Sequence, residues 1–420
     1  LNRTIFGLAV KSLRFRKFSV GLTVFSVAIS IMLFLCVDTI RAQAKDNFVN
    51  TVSGIDLIVG SRSGSIQLLL YSIFHIGNAT NNVTWDSYQK ITKHSRIDWS
   101  IPISLGDSHK GFRVIGTNQD FFKYYQYKNN LSLSFDSGME FSNLHDAVIG
   151  SNVAKKQDYS INDNIILAHG MGNISLADHD NMPFNISGIL KSTGSPIDDS
   201  IIIDLKALEA IHIGWEHGIP SKSKLSISDI DTDTLQPQSI TAFLLKLKSK
   251  HDVFNIQRAI NDYRREPLLA ILPGVALLEL WKVVGTIEKI LMVISAFVIA
   301  TGLLSMLAII LTNLNSRRRE LAVLRSVGAS PLSISLLMII ETELLIILSM
   351  ILGIALLYLS IILFGPMLHD SYGIAIAITP LSTFQWLLLA SILIAGLLIS
   401  LVPAFNAYKN TLQDGLTIRS

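Results

Sequence analysis

The chain has 420 residues, half of them hydrophobic, with 35 Lys and Arg against 32 Asp and Glu for a formal net charge of +3 at pH 7. A mean hydropathy of +0.45 excludes an ordinary water-soluble enzyme, and the near balance of charge leaves no extended basic surface for nucleic acid. The single cysteine, Cys36, excludes an internal disulfide framework and a cysteine metal cluster.

Residues 1–17 carry Arg3, Lys11, Arg14, Arg16 and Lys17 with no acid, while Ile5, Leu8, Ala9 and Leu13 recur at helical spacing. This predicts an amphipathic helix on the inner membrane face. A plain basic flank is the other reading, and both place the N-terminus inside. Residues 18–40 form the first apolar run, long enough for a hydrocarbon layer of about 30 Å. Ser19 and Thr23, then Ser26 and Ser30, give small residues four apart for close helix packing.

Residues 41–280 change to a soluble-like composition and predict one large external α+β domain, of a size that can bury its own core. β-rich runs at 112–115, 147–149, 164–167, 184–190, 200–205 and 242–247, punctuated by Gly, Pro, Asn and Asp, read as strands. Helices are expected at 41–51, 85–93 and 253–264. The dense apolar stretch Ile66 to Ile76 is too short to span. It reads either as core or as a helix touching the outer leaflet or a partner.

The second run, 283–314, would be about 48 Å long as a helix, longer than the hydrocarbon core, and so predicts a stalk. Upstream, Pro273-Gly274 breaks the chain and Val275 to Trp281 resumes a helical pattern. Glu288 and Lys289 fall near the outer interface, where snorkelling limits their cost. The connection 315–331 is basic and therefore cytoplasmic. It reads as a short helix with Leu321, Leu324 and Val327 on one face, stopped by Gly328 and restarted at Ser330-Pro331. The third run, 332–364, contains Glu341 and Glu343. Buried carboxylates at membrane depth face protein or water, and two positions apart they point about 200° from each other, so they cannot share one site. Glu341 is read as a polar contact to a neighbouring helix or to the connection 315–331. A short outer loop, 365–380, leads to the fourth run, 381–402, which Pro403 is expected to end before a cytoplasmic tail, 403–420.

The segment Arg317-Arg-Arg-Glu-Leu-Ala-Val-Leu-Arg-Ser-Val-Gly-Ala-Ser330 following an apolar helix resembles the coupling-helix signature of FtsX/MacB-type permeases, the membrane subunits of mechanotransmitting ABC transporters. Val402 to Tyr408 followed by Asp414-Gly415-Leu416 resembles the tail of the same family, and Asp56 to Asn82 with Gly188 to Asp198 resembles one of its branches. The resemblance implies a membrane protein of four transmembrane α-helices with a large α+β extracytoplasmic domain inserted between helices 1 and 2. It further implies a bacterial inner-membrane location, pairing with a second permease copy or a paralogue, and a periplasmic or lipoprotein partner. The chain has no Gly-x-x-x-x-Gly-Lys-Ser/Thr, so ATP and Mg would sit on a separate P-loop ABC ATPase. Arg317, Arg318, Arg319 and Arg325, beside Glu320, would meet acidic groups of that ATPase, and Leu321, Leu324 and Val327 would fill its groove. No catalytic triad, Gly-x-Ser-x-Gly or His-Glu-x-x-His pattern occurs.

All ten histidines fall outside the membrane runs. His169, His179, Asp180, His212 and His217 are therefore candidate metal ligands for a divalent-metal transport component, although no His-x-His or His-x-x-x-His pair occurs. A membrane-anchored scaffold or signalling protein with no ATPase is the remaining alternative.

Overall fold

The computed structural model describes residues 2–51, 53–128, 130–169, 177–178, 182–213, 235–316, 323–372 and 376–413. It divides into two compact units. One comprises Leu1–Gln43, Gly285–Met367 and Ile376–Ser420, the other Ala44–Val284 with Leu368–Ala375.

The second unit is built on a mixed sheet of twelve strands among the described residues. Its spine runs Leu268–Ile271, Leu57–Ser61, Ala242–Leu247, Ile97–His109, Phe112–Thr117, Ser200–Asp204, Asp146–Ile149, Phe184–Leu190, Phe135–Gly138. Ser200–Asp204 is parallel to Phe112–Thr117, and Phe184–Leu190 to Asp146–Ile149; the other spine pairs are antiparallel. The strands are apolar on both sides because both faces are covered. Alternation sends Ile58, Ile115, Val148, Ile202 and Leu244 into one cluster that underlies the whole sheet. Their neighbours enter two separate clusters on the opposite face, Leu57, Val59 and Phe243 in one and Val114, Ala147 and Ile201 in the other.

Helix Ser65–Ile73 supplies Leu68, Leu69, Tyr71 and Ile73 to the first cluster, all 0–1 % exposed. The core reading of this apolar stretch therefore holds, each such side chain contributing about 1.5–3 kcal/mol. Helix Val253–Asn261 covers the second cluster with Val253, Ile256 and Ile260, and helix Leu205–Ile211 the third. The strands expected at 184–190 and 242–247 are Phe184–Leu190 and Ala242–Leu247.

The first unit is helical. Four described helices are long and apolar enough to cross a membrane, over Lys17–Gln43, Pro273–Thr312, Pro331–Met367 and Thr383–Tyr408. An additional helix, Asn2–Phe15, precedes them. The helix expected at 41–51 is the continuation of the first span, one element over Lys17–Thr51. Pro273 begins helix Pro273–Ser316 instead of merely interrupting the chain upstream of it, as suits a residue with no N–H to leave unpaired in a first turn. Pro403 does not end the last helix, which runs Thr383–Gln413. Ala404 and Ala407 are buried beyond it, and Ser335 Oγ donates to the Ala404 carbonyl at 3.1 Å. That packing offsets the one hydrogen bond the proline removes. Pro366 is likewise carried inside helix Pro331–Tyr372.

Candidate coupling site

Glu341 lies near the start of the third span, and its carboxylate is buried. An isolated charge there would be costly, so its partner decides its role. Arg16, at the turn between helices Asn2–Phe15 and Lys17–Thr51, places Nη2 3.3 Å from Glu341 Oε2 and also donates to Ser12 Oγ at 3.0 Å. The pair borders a cavity of about 30 Å³ lined by Ser19, Thr23, Ile310 and Thr342 among others, room for roughly one water. The expected polar contact of Glu341 is thus an ion pair to the junction ahead of the first span. In the sequence Arg16 is one of five basic residues of an amphipathic or simply basic N-terminal segment, with nothing to single it out. The signal that would have found it is the demand of a buried carboxylate for a cation at the same depth.

Apolar packing reinforces this junction. Ala9 of the N-terminal helix is fully buried with Ile334, Leu337 and Met338 of the third span and Ala404 and Ala407 of the fourth. Leu324 and Ala329 of the connection 315–331 pack against the same cluster.

Within that connection, residues 323–326 are helical. Gly328 closes it with φ +97, a conformation open to glycine. Ser330 Oγ accepts from Ser333 N at 3.2 Å and caps the helix that opens at Pro331. Arg317, Arg318, Arg319, Glu320 and Leu321 lie outside the described residues. Leu324 and Val327 do not share a face. Leu324 turns into the buried cluster, whereas Val327 is 83 % exposed, because Val327 already belongs to the turn that Gly328 completes. Arg325 is half-buried.

Glu343 points elsewhere. Its Oε1 is buried without a hydrogen bond among the described residues, and a Cβ placed on Gly396 of the last helix would lie 3.9 Å from it. The two carboxylates thus serve different neighbours, as their spacing requires.

Two family models match the chain: the FtsX-like permease C-terminal model over residues 292–412 and the MacB-like periplasmic core domain model over residues 20–263, more than half of its length. The chain belongs to the FtsX/MacB-like permease family. It is accordingly an ABC-transporter permease, a four-helix membrane protein with an extracytoplasmic α+β domain between its first two spans. Among solved structures it is similar to the periplasmic region of MacB from Actinobacillus actinomycetemcomitans, with 10 % identity and a TM-score of 0.34 over 54 % of this chain and 94 % of that one. It is also similar to the extracellular domain of the noncanonic ABC-type transporter YknZ from Gram-positive bacteria, with 11 % identity and a TM-score of 0.31 over 52 % and 98 %. No curated protein matches the permease.

Among the described residues, the histidines of the permease do not assemble into a metal site. No group of three His, Cys, Asp or Glu side chains placed to hold a metal occurs among the described residues. His179, Asp180 and His217 lie outside those residues, as does the side chain of His169. His212 places Nε2 3.6 Å from Asp107 Oδ2 and Nδ1 2.5 Å from the Leu208 carbonyl. Burial alone would lower its pKa, but the Asp107 carboxylate and the Leu208 carbonyl hold it above the ordinary imidazole value. Both ring nitrogens of His212 thus face acceptors of the protein, Asp107 and the Leu208 carbonyl. His109 is likewise engaged, Nδ1 with the Ile166 carbonyl at 2.6 Å and Nε2 with Tyr159 OH at 2.9 Å.

Proposed function

We propose that this permease couples ATP hydrolysis on a separate P-loop ATPase to movement of its extracytoplasmic domain. It would act from the bacterial inner membrane with both termini cytoplasmic, paired with a second copy or a paralogue. The work done outside is expulsion of a substrate, release of a lipoprotein or lipid, or regulation of a periplasmic partner. The observation that carries this reading is continuity. The last strand of the sheet, Leu268–Ile271, is followed after one residue by a single helix, Pro273–Ser316, which ends at the Arg-rich connection. A helix of that length is about 66 Å, so an axial push or rotation at the basic segment has an unbroken element to travel along. Arg317, Arg318, Arg319 and Arg325 supply charge-assisted donors for acidic groups of the ATPase. Leu324, seated on Ala9, Ala404 and their neighbours, ties that docking site to the rest of the bundle.

The test is affinity purification of the detergent-solubilised chain, wild type beside Arg318→Glu/Arg325→Glu, with mass spectrometry of co-purifying proteins. Recovery of an ABC ATPase with the wild type and its depletion with the variant is the expected outcome. Recovery from neither, under mild extraction with crosslinking, overturns the coupling reading.

A further inference from the structure

The polar side chains of residues 38–43, at the end of the first span that leads into the extracytoplasmic domain, bind other parts of the helical unit. Thr39 Oγ1 accepts from Gln385 Nε2 of the fourth helix at 3.0 Å. Gln43 engages Ala377 in both directions, its Nε2 donating to the Ala377 carbonyl and its Oε1 accepting from Ala377 N, each at 2.7 Å. Two residues on, the Thr379 carbonyl accepts from Tyr358 OH of the third helix at 3.0 Å. Hydrogen bonds of good length therefore fasten the first span to the fourth helix and to the loop ahead of it, which the third helix also holds.

The second helix is fastened differently. Arg41 Nε stands 3.5 Å from Glu288 Oε2 of the second helix, while Arg41 Nη1 stands 3.9 Å from Asp38 Oδ1 of its own helix. Arg41 Nε is buried and makes no hydrogen bond among the described residues. A guanidinium that commits to one carboxylate does so with short, paired contacts of about 2.7–2.9 Å; this one is shared loosely between two. The second helix is also the least packed of the four. Only 22 % of its apolar window is buried, against 39, 33 and 33 % for the others.

We propose that Arg41 is an exchangeable latch on the second helix, a positioning residue that grips Glu288 in one arrangement and falls back on Asp38 when that helix shifts. Asp38 sits three residues before Arg41 on the same helix, so the arginine keeps a counter-ion in both positions and release strands no positive charge. Glu288 is 21 % exposed and can rehydrate when released. The purpose of the latch rests on the coupling reading above; its geometry does not.

The test uses the full chain in proteoliposomes. Cys36→Ser removes the only native thiol, and spin labels are placed at Ile294 and Leu387, both exposed, on the second and fourth helices. Pulsed-EPR distances then report the ratio of separated to close arrangements. Glu288→Gln removes the grip and is expected to raise that ratio by about two- to five-fold, the range an ion pair of this exposure supports. Asp38→Asn removes the fallback charge while leaving the Thr39–Gln385 bond in place, and is expected to lower the ratio by a similar factor. Arg41→Ala must follow Glu288→Gln. Shifts of Glu288→Gln and Asp38→Asn in the same direction, or no shift in either, overturn the latch, because a merely structural ion pair gives no reason for opposite signs. The measurement needs no ATPase, so failure of the coupling reading leaves it interpretable. Conversely, recovery of an ATPase without the opposed shifts sinks the latch alone.

Discussion

Asp198→Asn is the substitution that most directly probes why residues 188–198 carry their particular sequence. Asp198 is 1 % exposed, at the 3-10 turn Pro196–Asp199. Its carboxylate collects the turn that precedes it. Oδ1 accepts from Thr193 N and Thr193 Oγ1, both at 2.8 Å, and Oδ2 accepts from Gly194 N at 2.8 Å and from Ser192 Oγ at 3.0 Å. An amide replaces one of these acceptors with a donor, so at least one backbone N–H or hydroxyl faces another donor inside the protein. Hydrogen bonds to a charged group are worth about 1.5–3 kcal/mol each and do not add fully, which makes the expected loss about 3 kcal/mol. For a domain of this size that corresponds to roughly 6–12 °C in melting temperature. The damage would spread, because a Cβ on Gly150 would lie 2.3 Å from the carbonyl oxygens of both Ile197 and Asp198. The turn therefore rests directly on the backbone that opens helix Ser151–Gln157. The assay is thermal unfolding of the full chain in detergent, followed by limited proteolysis of the extracytoplasmic domain. Asp199→Asn is the control, since that carboxylate is about a third exposed and pairs with Lys156 at 3.1 Å, a contact worth at most about 1 kcal/mol, and its bond from Asn152 Nδ2 at 2.9 Å can be kept by the amide oxygen of the variant. If Asp198→Asn melts with the wild type, or no earlier than Asp199→Asn, the account of this turn is wrong.

Two further outcomes are expected. Glu341→Gln keeps an acceptor for Arg16 but removes the charge, and should destabilise the helical unit by about 1–3 kcal/mol in detergent melts; with Arg16→Gln, a double-mutant cycle should show coupling, and strict additivity of the two would contradict the ion pair. His75 has a pKa pulled down to about 3, first by burial and then by the Arg113 charge. Its folded value lies below the ordinary 6.5, so the unfolded chain binds the proton more readily and stability is lost as pH falls through that interval, by up to about 1.4 kcal/mol per pH unit. His75→Asn should flatten the acid limb of the domain's melting profile between pH 6.5 and pH 4, and an unchanged limb would refute the assignment.

Much of the sheet was legible because its strands obey a local rule. Phe184–Leu190 and Ala242–Leu247 are short β-rich runs bounded by turn residues, and the structure returns them at the expected limits. The longest strand, Ile97–His109, was not legible. Its sequence, Ile-Asp-Trp-Ser-Ile-Pro-Ile-Ser-Leu-Gly-Asp-Ser-His, contains a proline, a glycine and two aspartates, all of which argue against a central strand. Its neighbours override those preferences. Pro102 sits opposite Phe243, and its carbonyl accepts from Thr117 Oγ1 at 2.7 Å. The register then slips between Leu105 and Ser108, around Gly106 and Asp107. Pairing on both sides, supplied by residues far away in sequence, makes a strand of a segment that looks like a loop. Pro403 shows the same effect in a helix, where tertiary packing carries the chain through a residue that local rules read as a stop.

The polar contacts of the helical unit mark where reading the sequence stops for a different reason. Each charge could be assigned to a membrane depth, and depth was enough to flag Glu341 as needing a partner. Depth does not select among cations. Arg16 and Glu341 are 325 residues apart, and every basic residue of the N-terminal flank met the same criterion. Glu288 illustrates the converse error. At the outer interface a carboxylate can snorkel, so no partner was required, yet Arg41 reaches it across two helices. Arg41 itself was read as the first residue of the external domain, which detached it from the span on which it sits. Composition locates a charge along the membrane normal, whereas pairing depends on azimuth, the direction a side chain leaves its helix relative to the neighbours. Azimuth follows from which helices are adjacent and how they are rotated, and helices as uniformly apolar as these, with no clear polar face, carry almost no record of it in sequence. The few polar residues that break that uniformity and hold short contacts, Arg16, Thr39, Glu341 and Gln385, are therefore the ones that record helix rotation. Moving any of them by one position would turn its side chain by about 100° and cost the bundle a contact that no apolar neighbour can replace.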